Sequence, residues 1–355
     1  MIHGIELPRR IVIGEDALEE LQDIIKLVRA GSDGLVLVVT GPNVWARYGG
    51  RFMDVVEGVG VVKVVEVSEA SIAVAERVAD GVRGRDVSVI VGFGGGKSID
   101  VAKYVGHVLS KPVVSVPTSP SHDGISSPFV SLKGSDKPYS IKASAPAALV
   151  ADVNVLSSAP LRLIRAGAGD LIAKLTAVRD WKLAHKLKGE YYGEYAAKLA
   201  LLSAKHVIEY ASEIGRGSKA GVRVLVEGLI SSGVAMCIAG STRPASGSEH
   251  LFSHALDMLV PGAALHGEQV ALGTVMMMYL HGGNWLRVKR TLKLVGLPSS
   301  AKELGIPGRV IVDALVMAHR IRPERYTILG DSGLTREAAL RLALNTGVID
   351  QVDGV

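Results

Sequence analysis

One cysteine, Cys237, stands among 355 residues. A single thiol closes no internal disulfide and builds no thiolate metal cluster, so a disulfide-stapled secreted fold is excluded and a reducing cytoplasm is expected. Side-chain amides are nearly as scarce. Gln22, Gln269 and Gln351 are the only glutamines, and Asn43, Asn154, Asn284 and Asn345 the only asparagines. Such depletion of heat-labile residues fits a heat-adapted source. The start, Met1-Ile-His-Gly-Ile-Glu-Leu-Pro-Arg-Arg, lacks the apolar core of a signal peptide. No uncharged apolar run reaches the ~20 residues that span a bilayer. Glu227 interrupts Val222–Ala239, and Glu268 and His281 bracket Gln269–Leu280. No dense basic block exists either. The net charge of +5 is spread over single and paired Lys and Arg, so no nucleic-acid partner is expected. The charge reads first as a mildly basic enzyme surface; the sharper reading is a positive field that speeds encounter with an anionic substrate.

The chain is 48% hydrophobic and 21% charged, which excludes a disordered chain. Its 41 glycines and 14 prolines show no period of three, which excludes collagen. At about 150 residues per domain the length predicts two domains. Short, Val-rich, almost wholly apolar segments at Leu35–Thr40, Val61–Val67, Val87–Gly92, Val113–Pro117 and Ala148–Asp152 read as strands covered on both faces. Ile11–Ile13 adds a further candidate strand. Helical patterns lie between them at Ala17–Arg29, Trp45–Glu57, Ser71–Val82 and Ser98–Leu109, so the first domain is α/β with a Rossmann-like parallel sheet. After Pro160, Ala and Leu dominate long periodic segments at Leu161–Leu187, Tyr192–Ile214, Ala220–Ala239, Glu249–Leu259 and Gln269–Leu280. The second domain is therefore expected to be helical. The boundary is drawn at residues 157 and 158, inside a stretch Asn-Val-Leu-Ser-Ser-Ala-Pro that reads as a connector.

Two local patterns carry chemistry. In Val89-Ile90-Val91-Gly92-Phe93-Gly94-Gly95-Gly96-Lys97-Ser98, a buried strand enters consecutive glycines and then a helix. Glycines let backbone approach a ligand closely, and the free N–H groups of a helix N-terminus hold phosphate. The turn is neither a P-loop, which would need Gly where Val91 stands, nor the G-x-G-x-x-G fingerprint, which would need Gly where Lys97 stands. It reads as a pyrophosphate cradle, with Lys97 able to add charge. The second pattern is Gly247-Ser248-Glu249-His250-Leu251-Phe252-Ser253-His254, followed by Leu265-His266-Gly267-Glu268. Histidines at i and i+4 share a helix face. With His266 and the carboxylate in Gly167-Ala168-Gly169-Asp170, they are four candidates for the three or four ligands of zinc or a similar ion. Spacing does not separate the metal-binding histidines from one that touches substrate. His3, His107, His185, His206, His281 and His319 have no partner at ligand spacing and read as surface or satisfied core residues. Ser121-His122-Asp123-Gly124 cannot form a hydrolase triad, because adjacent turn residues do not converge on one nucleophile. It reads as a set of hydrogen-bonding groups at the carboxyl end of a strand, where ligands bind in open α/β sheets.

These residues resemble the archaeal sn-glycerol-1-phosphate dehydrogenases, a branch of the iron-containing alcohol dehydrogenase and glycerol dehydrogenase superfamily. The matching segments are Gly94-Gly95-Gly96-Lys97-Ser98-Ile99-Asp100, Pro117-Thr118-Ser119-Pro120-Ser121-His122-Asp123-Gly124, Ala166-Gly167-Ala168-Gly169-Asp170 and Gly189-Glu190-Tyr191-Tyr192. They continue through Gly247-Ser248-Glu249-His250 with His254, His266-Gly267-Glu268 and Arg322-Pro323-Glu324-Arg325-Tyr326-Thr327. The resemblance implies a Rossmann-like domain for NAD or NADP and a helical, dehydroquinate synthase-like domain holding one zinc or other divalent ion. It implies Asp170, His250 and His266 as metal ligands. His254 and Asp123 would serve the substrate and catalysis, with Asp170 also near the substrate. Gly94, Gly95, Gly96, Lys97 and Ser98 would hold the pyrophosphate, and Thr118, Ser119, Ser121 and Ser127 would line the nicotinamide. His254 is a candidate proton relay because its ordinary pKa lies near neutrality. The implied reaction is reversible reduction of dihydroxyacetone phosphate to sn-glycerol 1-phosphate for archaeal ether phospholipids, by a homo-oligomer acting on a small phosphorylated substrate. A polyol dehydrogenase and a non-catalytic nucleotide- and metal-binding module are the competing readings. Two departures from relatives, at Ala168 and Lys174, are expected to alter packing only.

Overall fold

The computed structural model of the chain describes residues 4–29, 33–134 and 140–350, so His3 lies outside the described residues. It divides into two compact units, Met1–Pro160 and Leu161–Val355.

The first unit is built on strands β1 (Arg10–Gly14), β2 (Leu35–Thr40), β3 (Val62–Glu66), β4 (Val87–Gly94), β5 (Val113–Pro117) and, after a small antiparallel pair β6 (Phe129–Val130) and β7 (Ile141–Lys142), β8 (Ala148–Asp152). The six long strands form one sheet in the order β1-β8-β5-β4-β2-β3, every pairing parallel. Helices α1 (Leu21–Val28), α2 (Pro42–Val55), α3 (Ile72–Asp80) and α4 (Gly96–Leu109) cover it. The apolar runs hide a period of two. Val36, Val38, Val89, Val91, Val114 and Val116 face a core shared with α1 and α2. Leu35, Leu37, Val39, Ile90 and Val113 face a second core with α3 and α4. Because β3 and β4 lie on opposite sides of β2, the chain leaves the carboxyl ends of β2 and β4 in opposite directions. This switch point opens a crevice where such sheets bind ligands.

The stretch read as a connector holds a short helix, α5 (Val153–Ser157). Asp152 nucleates it: its carboxylate accepts from the N–H of Asn154 at 2.9 Å and of Val155 at 3.1 Å, an N-cap that offsets the weak local propensity.

The second unit contains helices α6 (Leu161–Ile172), α7 (Lys174–Lys188), α8 (Glu194–Glu209), α9 (Ala211–Arg216), α10 (Lys219–Ala239), α11 (Ser248–Leu259), α12 (His266–Leu280), α13 (Trp285–Val295), α14 (Gly308–Ile321) and α15 (Arg336–Asn345). The segment expected as one helix from Leu161 breaks at Ala173, and that from Tyr192 breaks at Tyr210. Left-handed glycines at 189, 217, 240 and 296 stop α7, α9, α10 and α13. Helix α10 is long and apolar enough to cross a membrane by length and composition alone, yet 67% of its apolar window is buried inside the protein. It packs along α8 as a core helix.

Candidate active site

In the first unit, the glycine turn stands at the end of β4, with Gly41 at the end of β2 beside it. A Cβ on Gly94 would lie 2.7 Å from the Ser98 hydroxyl, and one on Gly95 3.3 Å from that of Ser119. A Cβ on Gly96 would fall inside the His122 imidazole. Three bare glycines thus let Ser98, Ser119 and His122 crowd the amino end of α4, where free N–H groups and the helix dipole favour an anion. The Thr118 N–H donates to the Gly94 carbonyl at 2.9 Å, tying the Thr118–Ser121 segment to the turn. Lys97 is exposed, and its ammonium donates to the Ser68 carbonyl at 3.3 Å.

The loop beyond the turn is fastened from beneath. Lys103, fully buried, donates to the carbonyls of Gly124 at 2.8 Å and Phe129 at 2.5 Å. Asp100 accepts from the Ser131 N–H at 3.0 Å. Burial pushes the Asp100 carboxyl above its ordinary range, against the pull of Lys103 and His122. His122 Nδ1 accepts from the Gly124 N–H at 2.9 Å, which leaves Nε2 as the ring's proton-bearing nitrogen when neutral. Asp123 opens a 3-10 turn in this loop. Ser127 is buried with its hydroxyl bonded to the Phe129 carbonyl at 3.1 Å.

In the second unit, Asp170 from α6, His250 from α11 and His266 from the first turn of α12 each present a ligand atom within 4.8 Å of the others. Glycines permit this meeting. A Cβ on Gly267 would overlap the Ala166 carbonyl, and one on Gly169 the Gly267 carbonyl. Helices α6 and α12 therefore touch backbone to backbone at the residues adjoining Asp170 and His266. Helix α11 approaches similarly, for a Cβ on Gly273 would lie 2.9 Å from the Glu249 carbonyl oxygen.

Outer partners orient the three. Glu249 lies 2.7 Å from His250 Nδ1 and also accepts from the Thr176 hydroxyl and the Gly247 N–H, each at 2.7 Å. A carboxylate on Nδ1 fixes the proton there and frees His250 Nε2, which lies 3.6 Å from Asp170 Oδ1. The Ser253 hydroxyl donates to Gln269 Oε1 at 2.6 Å and so accepts from His266 Nδ1 at 3.2 Å. Gln269 in turn donates to Asp257 at 2.7 Å. Both imidazoles are thereby presented through Nε2.

The charges follow from these contacts. Burial opposes ionisation of Asp170, but Lys174, whose ammonium donates to its Oδ1 at 2.8 Å, and the His250 ring hold it well below the usual carboxylate range. Burial likewise opposes Glu249, while His250, Thr176 and the Gly247 N–H hold it low. His250 is raised, its bonds to Asp170 and Glu249 outweighing burial. His254 goes the other way. Burial first, then His266, His250, Arg322 and Arg325, push it well below neutrality. Its ring stacks at 20° to that of His266, centroids 5.9 Å apart, so it is a neutral imidazole rather than a group poised near neutral pH. Lys174 is more than a packing difference. It is fully buried and bonded to one oxygen of Asp170.

Several residues of this centre carried no role in the sequence reading. Asp180, fully buried, accepts from the Ser248 N–H and hydroxyl, from the Ile328 N–H at 2.7 Å and from His281 at 3.0 Å. Arg243 forms a two-pronged pair with Glu190 and donates to the Tyr326 carbonyl at 2.9 Å. Arg325 donates to the Ser246 carbonyl and the Thr242 hydroxyl, each at 2.6 Å. Lys174 at i+4 from Asp170 and Glu249 beside His250 were legible as spacing, whereas Asp180, Arg243 and Arg325 act across long sequence separations. The remaining histidines are satisfied elsewhere: His107 by Ser144, His185 by the Glu190 carbonyl and His319 by the Val316 carbonyl, while His206 packs on Tyr210.

A family model for iron-containing alcohol dehydrogenases matches residues 12–160. Solved structures of similar fold include the glycerol dehydrogenase of Schizosaccharomyces pombe, at TM-score 0.78 and 21% identity over 97% of this chain and 90% of that one. A probable glycerol dehydrogenase from Sinorhizobium meliloti matches at TM-score 0.79 and 19% identity, over 97% of this chain and 98% of its own. Among curated proteins, the glycerol-1-phosphate dehydrogenase [NAD(P)+] of Hyperthermus butylicus is 66% identical over 98% of this chain and 100% of its own length. Those of Aeropyrum pernix and Sulfurisphaera tokodaii are 56% and 55% identical, over 98% of this chain and 99% of theirs. At such identity across nearly the whole of each sequence, the chain belongs to the glycerol-1-phosphate dehydrogenase [NAD(P)+] family of archaeal oxidoreductases.

Proposed function

We propose that this chain reduces dihydroxyacetone phosphate to sn-glycerol 1-phosphate with NADH or NADPH, reversibly, and that the product feeds ether phospholipid synthesis. The observation that carries this reading is the meeting of Asp170, His250 and His266 in a chain 66% identical to a protein of that name. One carboxylate and two imidazoles suit a borderline divalent ion such as zinc. When bound, that ion would act as a Lewis acid on the C2 carbonyl oxygen, while the reduced nicotinamide supplies the hydride.

The chain's own groups do the positioning. Glu249 and Ser253 hold protons on the Nδ1 atoms of His250 and His266, so both rings keep Nε2 available as a donor atom. Neutral His254 is assigned to the substrate's hydroxyl or carbonyl oxygen, where an uncharged imidazole suits proton relay without adding a competing positive charge. Gly94, Gly95, Gly96 and Ser98 are assigned to the nucleotide pyrophosphate, and Thr118, Ser119 and Ser121 to the nicotinamide side. Residues Thr40-Gly41-Pro42-Asn43 end β2 without a carboxylate, so no fixed charge repels a 2′-phosphate and both nucleotides are accepted.

The test is NAD(P)H oxidation with dihydroxyacetone phosphate beside dihydroxyacetone, before and after chelation, with chiral analysis of the product. The phosphorylated ketone should be strongly preferred, chelation should abolish turnover, added zinc should restore it, and the product should be the sn-1 enantiomer. Equal use of dihydroxyacetone would assign a polyol dehydrogenase instead. Nucleotide binding with no turnover would leave a binding module.

A further inference from the structure

We infer that Arg325, with Arg322 near it, forms a subsite for the phosphate of the ketone substrate beside His254. The inference rests on the function proposed above and deepens it by assigning the group that recognises the phosphorylated substrate.

Arg325 is anchored but not neutralised. Its guanidinium donates to the Ser246 carbonyl and the Thr242 hydroxyl, and both acceptors are uncharged. A guanidinium has five N–H donors in a planar fork, so these bonds fix its plane while leaving much of the fork for a further acceptor. The anchoring turn leads directly into α11, which carries His250 and His254. The neighbouring arginine contrasts with it. Arg243 is matched by Glu190 through two hydrogen bonds, and its third bond, to the Tyr326 carbonyl, returns the clamp between the 242–246 and 322–327 segments. One guanidinium of this clamp is hydrogen-bonded to a carboxylate; the other is hydrogen-bonded to neutral acceptors, with Glu190 and Glu249 acting on it only at longer range.

Arg325 is partly buried, so part of its fork faces away from bulk water and an anionic ligand would complete its partners. Desolvation first, then Arg322 and Arg243, pull its pKa down to about 9, against Glu190 and Glu249, which raise it. Arg322 and Arg325 also act on His254, so both charges reach the imidazole assigned to the substrate.

The charge balance points the same way. Lys174 is paired with Asp170 and Arg243 with Glu190, whereas the hydrogen bonds of Arg325 go to uncharged acceptors. A phosphate dianion would supply the charge those acceptors lack, and a planar guanidinium fork suits its oxygens. An unphosphorylated polyol does neither.

The zinc-loaded chain and its Arg325→Gln and Arg322→Gln variants should be compared in three measurements. Calorimetric binding of inorganic phosphate should weaken at least 30-fold in Arg325→Gln and at least fivefold in Arg322→Gln, with metal content per chain unchanged. The ratio of kcat/KM for dihydroxyacetone phosphate over dihydroxyacetone should fall about 100-fold in Arg325→Gln. An equal fall on both ketones would show a merely structural role and overturn the proposal. A changed preference between NADPH and NADH at constant ketone preference would move the phosphate to the nucleotide and overturn it too. Should the unaltered chain reduce neither ketone yet bind phosphate in an Arg325-dependent way, the subsite stands and the proposed function fails. Should it prefer dihydroxyacetone phosphate while both variants keep that preference and their phosphate affinity, the function stands and the subsite fails.

Discussion

In the first unit the groups proposed for a ligand are backbone N–H groups, freed where β4 runs through Gly94, Gly95 and Gly96 into α4. In the second they are side chains, Asp170, His250 and His266, delivered by the distant helix α6 and the consecutive helices α11 and α12. Glycine matters in both, but differently. At Gly96 the missing Cβ makes room for the His122 ring beside the turn; at Gly169 and Gly267 it lets two helix backbones touch so that their neighbouring ligands meet. A backbone-built cradle is indifferent to most side chains and intolerant of one added carbon. A side-chain-built centre depends instead on a ring of outer partners, here Glu249, Ser253, Gln269 and Lys174, which set tautomer and charge.

Four measurements sharpen that contrast. The largest effect is expected from Gly267→Ala, because the atom its Cβ would strike is the Ala166 backbone carbonyl, which cannot rotate away. Separating α6 from α12 should cost about 3 kcal/mol or more. Bound metal should fall below a tenth of the normal amount, read by differential scanning calorimetry and metal analysis, with nucleotide binding retained. Next, Gly96→Ala should weaken NADPH binding tenfold to 100-fold by fluorescence titration while leaving bound metal unchanged. Loss of metal in that variant would erase the distinction drawn here. Third, Ser253→Ala removes the acceptor that fixes His266 and should weaken zinc affinity about tenfold or more in chelator competition, without altering NADPH binding.

The smallest effect is on pH dependence. The depressed pKa values of Asp170 and Glu249 stabilise the metal-free fold above the ordinary carboxylate range. That contribution is lost as pH falls through their lowered values, so unfolding should begin only below about pH 4. The raised His250 contributes below its ordinary pKa and fades as pH rises through the raised value. A small decline in Tm on the alkaline side should therefore disappear in His250→Gln.

How much of this was legible depended on whether the signal was local. Leu35–Thr40 and Val87–Gly92 read as buried strands because both faces are apolar, and the glycine turn reads as an anion cradle because strand, glycines and helix are contiguous. The helical half was legible as a class, but the break at Ala173 was not, since apolar periodicity runs straight through it. The two-residue strands Phe129–Val130 and Ile141–Lys142 are too short to show any period. Buried Lys174 was underread because a lysine on a helix is ordinarily solvated. The bond from Arg325 to Ser246 joins residues 79 apart, and only the folded chain brings them together.

The central claim is that Asp170, His250 and His266 hold one divalent ion on which turnover depends. Its most direct test is metal stoichiometry measured together with dihydroxyacetone phosphate reduction, in the unaltered chain and in His266→Ala. About one ion per chain should be bound in the former, and both metal and activity should fall at least 100-fold in the variant, with the helical circular dichroism signal unchanged. Full metal occupancy and normal reduction in His266→Ala would contradict the account.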